Sequence, residues 1–488
     1  MMHKGQCHLP LVGFFLLLTG CAINPVTGKH DFVLMSEQDE ISLGARYHEE
    51  ILQQYGAYDD NALQAYVNQI GQRLAQKSHR SALTFHFTVL DTPVINAFAL
   101  PGGYVYITRG IMAYLNSEAE LAGVLGHEIG HVTARHSVRQ HGTATMTNVI
   151  GSILIYQAGA QSQDLVNILG TAIVRGYGRE HELEADRLGA EYLARIGYDP
   201  EQMIDVVRVL KNQELYEKQR AEEEGRQANV YHGIFATHPD NDDRLQEVVR
   251  AANQYRSTQT IPENRTTYLK QIEGMVFGAS EREGVIRDQM FYHKPLNVGI
   301  RAPETWAIEN LPDRLIIHTK KQDALVQIMV DDMRDHPSAR DYLLNRLHYL
   351  DIKQLENERP LKAAGLVGFT GITRDRTYFG NRKVRYSVWV VGNKAWLLAA
   401  ATKNERDFEQ FDPDFIRIQN SLHRLTAQER LLAQPLHIGL LTADSSTQYA
   451  QLAKNSPLQH HAEAQIRLLN AQYPTGKPQP WQPIKVIQ

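Results

Sequence analysis

The chain has 488 residues, enough for two or three domains, and its 43% hydrophobic and 22% charged residues are those of globular protein rather than an extensively disordered one. A formal net charge of −4 lacks the basic excess of a nucleic-acid binder. Only Cys7 and Cys21 carry thiols, and their N-terminal setting leaves neither for a disulfide or a cysteine nucleophile.

Lys4 precedes an apolar run from Leu9 to Leu18, too short to span a bilayer and suited to the core of a secretory signal over residues 1–20. Leu18, Thr19, Gly20 and Cys21 resemble the bacterial lipobox, which implies that Cys21 is lipidated and becomes the first mature residue. Ala22 stands where an inner-membrane retention signal typically has aspartate, so the same resemblance implies the outer membrane, on its periplasmic face. Each buried methylene contributes about 0.8 kcal/mol, so a multiply acylated cysteine anchors stably.

Pro101, Gly102 and Gly103 mark a turn, and the β-formers Tyr104 to Thr108 follow it. An edge strand there could pair with an extended peptide; an ordinary hairpin strand is the alternative. Ser117 and Glu120 have capping-box spacing, so a helix should begin there and bury Leu121, Val124 and Leu125. Gly123, Gly126 and Gly130 cost that helix propensity, which a close approach by a second helix or a substrate would explain.

The helix runs into the sequence HEIGH. His127 and His131 share a face, with Glu128 about 100° round the same surface. Two imidazoles can hold zinc, which lowers the pKa of a water to roughly 7, while the adjacent glutamate moves the proton. This arrangement suits peptide hydrolysis; a surface helix that happens to carry two histidines and an acid is the bland alternative. A catalytic zinc keeps three protein ligands, and the metzincin pattern is excluded because Ala134 and Ser137 stand where it needs glycine and histidine. Glu182 is the better third ligand, with Asp186 four residues on to hydrogen-bond the outer nitrogen of a histidine; Glu180 and Glu184 are rivals. Between these helices, Met146 to Ala160 and Leu165 to Val174 read as a helical hairpin, in the core rather than on a membrane surface. Tyr177, Arg179, His181 and His136 are unranked candidates to stabilise an oxyanion.

These residues resemble the HtpX and BepA type of gluzincin metallopeptidases, a broad family that also contains the CAAX prenyl proteases. His127 to His136 is similar to the family's active-site helix, and Glu182 to Asp186 to its ExxxD motif. The resemblance implies one Zn2+ held by His127, His131 and Glu182, with Glu128 as general base and Asp186 behind a ligand. Asn96 to Ile111 resembles the strand and loop of the family's substrate cleft, which nominates Asn96, Ala97, Tyr104 and Val105. Thr237 to Pro239 resembles a motif of the BepA-like branch in which the histidine can occupy the fourth metal position, so His238 is a candidate inhibitory ligand as well as a plain loop histidine.

The expected metallopeptidase domain spans residues 21–256, and a polar, proline-containing linker 257–268. In residues 269–430, Arg314 to Thr319, Ala324 to Val330, Val384 to Val390 and Trp396 to Thr402 read as strands, and Ser338 to Leu350 and Asp407 to Leu422 as helices. Phe291 to Trp306 resembles the entry to a PsbP-like α/β sandwich, without a catalytic constellation. Residues 434–488 read strand, helix, helix, strand, and AQLAKNSPL, IRLLNAQYP and WQPIKVI resemble a degenerate LysM module, which would bind peptidoglycan or dock against the protease domain or another protein. The expected fold class is α+β: a mainly helical zincin-type domain with a small sheet, an α/β sandwich, and a small βααβ module. The expected function is a periplasmic, lipid-anchored zinc metalloendopeptidase acting on misfolded or stalled envelope proteins. Its rivals are an outer-membrane chaperone or assembly factor with latent proteolysis, and a peptidoglycan hydrolase or scaffold.

Overall fold

The computed structural model describes residues 21–32, 35–139, 179–223, 241–255, 260–311, 313–334, 336–350 and 354–488. The signal segment, the hairpin between 146 and 174, Tyr177 and the motif around His238 lie outside them.

A short hairpin of β1 (Cys21–Ile23) and β2 (His30–Phe32) leads into α1 (Glu37–Tyr55), whose start is closed by a Ser36–Asp39 capping box. In α2 (Asn61–Ala75), Leu63, Val67, Ile70 and Leu74 recur at helical spacing and are buried. A small sheet follows in the order β3-β5-β4: β5 (Tyr104–Thr108) pairs in parallel with β3 (His86–Leu90) and antiparallel with β4 (Ala97–Leu100). The edge-strand expectation for Tyr104 to Thr108 is corrected here. Tyr104 and Val105 sit on a central strand flanked by β3 and β4, and β4, which begins at Ala97 just after Asn96, forms one of the two margins of this sheet among the described residues. β-forming composition marks a strand but not its neighbours. Gly102 makes the turn into β5 at φ 77°, where a Cβ would lie 2.6 Å from Ile41 Cα.

After α3 (Arg109–Tyr114) comes α4 (Glu118–Thr133), buried along its whole length. Ser117 Oγ accepts from the Glu120 N–H at 3.0 Å, while the Glu120 carboxylate reaches one residue further back than a capping box, to the Asn116 N–H at 2.7 Å. The helices α5 (His136–Arg139), α6 (Arg179–Arg195), α7 (Gln202–Glu223) and α8 (Asn241–Tyr255) follow. α6 crosses α4 almost backbone to backbone: a Cβ on Gly126 would meet Gly189 Cα at 3.4 Å, and one on Gly130 would meet Ala185 O at 3.1 Å.

The expected linker runs into a buried helix. In α9 (Arg265–Ile272), Tyr268, Leu269 and Ile272 enter the core around α2 and α4, and the Tyr268 hydroxyl donates to Met112 O at 2.6 Å. Eight residues behind a polar, proline-containing stretch were too few to show a helical period.

Next, β6 (Val276–Phe277) precedes a four-stranded sheet ordered β17-β9-β8-β7, built from β7 (Val285–Arg287), β8 (Met290–His293), β9 (Val298–Arg301) and β17 (His423–Arg424). The large sheet has seven antiparallel strands ordered β10-β11-β12-β16-β15-β14-β13. They are β10 (Trp306–Leu311), β11 (Arg314–Thr319), β12 (Ala324–Asp332), β13 (Glu356–Ala363), β14 (Leu366–Thr377), β15 (Gly380–Val391) and β16 (Lys394–Thr402). Adjacent residues on β15 serve opposite faces: Val388 packs in a cluster with α10 (Ala339–Tyr349), and Trp389 in one with α11 (Phe408–Ser421). The strands and helices expected in this region are present, but the hairpin of β13 and β14 was not anticipated, because charged residues such as Arg359, Arg374 and Asp375 mask its alternation.

After α12 (Ala427–Leu432), the chain ends in β18 (Leu436–Thr442), α13 (Tyr449–Lys454), α14 (Ala462–Leu469) and β19 (Pro483–Ile487), the order read from the sequence. This unit does not stand free. β18 pairs with β19 on one side and β6 on the other, and Ile438, Leu468, Leu469 and Ile487 join the core that holds α4. Lys485 is fully buried and donates to Ala113 O at 2.7 Å and Leu115 O at 2.6 Å, satisfying carbonyls at the open end of α3. Burial pushes its amine well below the ordinary lysine range. Replacing Lys485 with Met should strand both carbonyls and lower stability by about 1–3 kcal/mol, read from the urea midpoint. The same change at exposed Lys454 should leave the midpoint in place.

Candidate metal centre

α4 presents His127 and His131 one turn apart with their Nε2 atoms 3.0 Å from each other. Across the glycine crossing, α6 brings Glu182 Oε2 to 3.6 Å from His127 Nε2 and Oε1 to 3.4 Å from His131 Nε2. All three side chains are buried, and together they form a group able to hold a metal ion. An ion about 2.0–2.2 Å from each donor in tetrahedral geometry sets the donors roughly 3.3 Å apart, so the observed triangle fits. Two imidazoles and one carboxylate suit zinc better than the oxygen-seeking magnesium or calcium, and three protein donors leave a coordination position over. Glu180 is exposed, and Glu184 is engaged elsewhere, so neither rival takes the place of Glu182.

The outer nitrogens of both histidines are held. His127 Nδ1 lies 2.8 Å from Asp186 Oδ1, as the spacing on α6 suggested. His131 Nδ1 lies 2.9 Å from His136 Nδ1, and His136 Nε2 lies 3.0 Å from Glu184 Oε2, which also accepts from Arg139 at 3.0 Å. A His131 that ligates through Nε2 carries its proton on Nδ1 and donates to His136; His136 then carries its own proton on Nε2 and donates to Glu184. Both nitrogens of His136 are thereby committed, which removes it from the oxyanion candidates. His181 stacks on His136 with ring centroids 4.3 Å apart.

Sequence reasoning missed this second support, although His136 five residues after His131 and Glu184 two after Glu182 were its traces. What hid it is the backbone at Arg135, whose φ of 56° breaks the helix and swings His136 back toward His131. A non-glycine residue there costs about 1–3 kcal/mol, offset by the anchoring of its guanidinium on Glu40 at 2.5 Å and Met35 O at 2.8 Å.

Electrostatics follow the same division. Burial pushes the His127 imidazole down, but Asp186 and Glu182 overcome it and hold it up at about 9, so a metal must displace a proton there. Burial lowers the His136 imidazole, against the opposing pull of Glu184. Glu184 would be raised by burial, yet His136 and Arg139 hold it at about 2. His181 falls to about 4 through burial and the nearby charges of His136 and Arg139.

Glu128, the next residue on α4 after His127, is 1% exposed. Asn96 is buried immediately before β4, and Ala99 and Leu100 of β4 line one crevice with His131. The margin strand thus borders the centre, with Tyr104 and Val105 behind it on β5.

An HExxH helix clasped by a second helix that supplies glutamate defines a metallopeptidase centre of the gluzincin class. Residues 61–252 match the model of Peptidase family M48. The chain is 30% identical over 297 residues to the beta-barrel assembly-enhancing protease of Yersinia pestis, covering 56% of this chain and 58% of that one. It is 32% identical over 233 residues to the protein of that name from Escherichia coli (strain K12), covering 46% of this chain and 45% of the other. With the mitochondrial metalloendopeptidase OMA1 of Arabidopsis thaliana it shares 35% identity over 143 residues, 29% of each chain. The chain therefore carries an M48 zinc metallopeptidase domain of the HtpX and BepA type, and spans about half the length of the bacterial relatives it matches. The solved structure of cyanobacterial PsbP from Synechocystis sp. PCC 6803 aligns with 29% of this chain and 96% of its own at 15% identity, but its TM-score of 0.23 carries no argument.

Replacing Asp186 with Asn should weaken zinc binding about 10- to 100-fold, measured by competition with a chromophoric chelator. Gly130→Val should weaken it too, because the branched side chain meets the Ala185 backbone and pushes α6 away. Gly123→Ala meets the flexible Met203 thioether at 3.1 Å and should leave zinc affinity unchanged.

Proposed function

We propose that this protein is a zinc metalloendopeptidase, lipid-anchored on the periplasmic face of a bacterial outer membrane, that hydrolyses peptide bonds of misfolded or stalled envelope proteins. The observation that carries the reading is the convergence of His127, His131 and Glu182, with Glu128 beside the pair. Zinc, when bound, supplies a Lewis acid that polarises the scissile carbonyl and acidifies the attacking water. Glu128 takes the proton from that water and delivers it to the departing amine. Asp186 fixes the ring of His127, and His136, backed by Glu184, fixes that of His131, so neither imidazole has to reorient as charge develops. A substrate strand laid along β4 would gain main-chain hydrogen bonds that depend little on side-chain identity, which suits unfolded clients.

The anchor rests on Cys21 and the apolar leader before it. No helix among the described residues is long and apolar enough to cross a membrane. For the finer architecture, residues 21–256 are read as zincin-type, 269–430 as a PsbP-like sandwich and 434–488 as LysM-like. The contacts of β18, α14 and β19 favour docking on the peptidase core over glycan binding as the role of that last unit. His238 is proposed as a fourth ligand that latches the centre.

Glu128→Gln should retain one zinc per chain by mass spectrometry while casein cleavage falls about a thousandfold. If cleavage persists, the assignment of the base is wrong; if the variant still supports the protein's cellular role, assembly work independent of proteolysis replaces the reading. His238→Ala should raise cleavage, and equal rates in variant and parent discard the latch.

A further inference from the structure

The seven-stranded sheet has two unlike ends. At one, the turn between β10 and β11 borders the peptidase half, where Asp313 and Arg314 line a cavity with Tyr55 and Val94. The other end lies a strand away, about 20 Å. Pairing of Ala324 with Thr402 and of Ala401 with Val384 sets three connections side by side at that far end: the β11–β12 turn, the residues after β16 and the β14–β15 hairpin. The Lys403 N–H donates to Asp323 O at 2.7 Å, and Arg382 Nε donates to Lys403 O at 2.9 Å, which ties the three together.

These connections are basic. Residues 319–324, 373–383 and 402–409 hold eight lysines and arginines against five acids, in a chain whose net charge is −4. Arg374 and Lys383 are paired with Glu405 and Glu409. Lys320, Lys321, Arg382, Lys403 and Arg406 have no acid partner among the described residues, and all but the half-buried Arg382 are exposed. Glu304, before β10, and Glu356, at the start of β13, stand only at the outer corners.

Apolar groups are exposed among these cations. From Arg374 opposite Lys383 to Thr377 opposite Gly380, the hairpin outruns the pairing of both its neighbours, and its tip carries Tyr378, 61% exposed. α10 runs toward the same end: Tyr342 meets Asp331 at 3.1 Å near the far end of β12, and the charge of Arg346, a turn on, acts on Tyr386. The helix closes with Tyr349 and Leu350 80% and 47% exposed. A projecting basic end tipped with aromatic and aliphatic side chains offers no concavity for a small ligand. It matches a flat, anionic, amphiphilic surface, with cations at the headgroups and tyrosine rings at the boundary with the acyl chains.

We infer that this end of the sheet docks on a bilayer rich in anionic phospholipid, a second membrane contact besides Cys21. The inference takes from the proposed lipid anchor only the choice of occupant, and its test dispenses with the anchor. Residues 21–488 carrying Cys21→Ser, which cannot be acylated there, should sediment with phosphatidylethanolamine–phosphatidylglycerol vesicles but not with phosphatidylcholine vesicles. Salt at about 1 M, where the Debye length is ~3 Å, should release the protein. Replacing Lys320, Lys321 and Lys403 together with Gln should weaken the binding about a hundredfold, roughly fivefold per charge, and leave casein cleavage unchanged. Lys454→Gln should leave both unchanged. Tyr378→Trp should tighten the contact and Tyr378→Ser weaken it. Equal vesicle binding by the triple variant and its parent, including none by either, would overturn the surface. So would an acidic polypeptide or a DNA oligonucleotide that binds more tightly than the vesicles through the same lysines, since the occupant would then be another class of macromolecule. If the native protein proves unacylated while vesicle binding still depends on the three lysines, the anchor falls and this surface stands.

Discussion

The contact between α4 and α6 through Gly126, Gly130 and Gly189 is the constraint on which the centre depends. A carboxylate side chain is short. For Glu182 to come within 3.4–3.6 Å of two imidazoles on another helix, the helix axes must lie closer than ordinary side chains permit. The glycines remove the side chains that would hold the helices apart, and their cost of about 1 kcal/mol each in helix propensity is offset by burial of both helices. Gly189 belongs to the second helix, where a Cβ would sit 3.1 Å from the His127 backbone nitrogen, so both partners contribute to the close approach.

Around that crossing, ionisable groups are buried in pairs. Asp186 holds His127, Glu184 holds both His136 and Arg139, and Glu40 holds Arg135 and Arg80. Each such group would be costly to bury alone, and each pairing sets an orientation. The result is an inner ring of donors whose rotamers are set before any ligand arrives. The C-terminal unit extends this rigidity: Lys485 closes the end of α3, and the link from α3 carries Asn116, whose N–H the Glu120 carboxylate of α4 accepts. A residue near the end of the chain thus braces the start of the histidine-bearing helix.

The spacing of HEIGH named the two histidines and the glutamate between them because a helix converts sequence intervals directly into facing side chains. Glu182 and Asp186 were legible for the same reason, as a pair four apart, although the rank of Glu182 over Glu180 and Glu184 depended on which face of α6 meets α4. The His136 arm was not legible, since it depends on a left-handed residue at Arg135 that no periodicity announces. Tyr104 to Thr108 could be read as a strand but not as a central one, since hydrogen-bond partners from His86 to Leu90 and Ala97 to Leu100 are set by assembly.

By itself, then, the sequence determined what is local: the start of the histidine-bearing helix, the two helices and most strands of the large-sheet region, the βααβ order at the C-terminus, and the chemistry that one turn of α4 can offer. Tertiary structure alone decided what joins distant segments: the approach of Glu182 to the histidine pair, and the insertion of α9 and β19 into the peptidase core. The physical reason is that backbone periodicity orders residues a few positions apart, whereas contacts across many residues are chosen only when whole faces exclude water together.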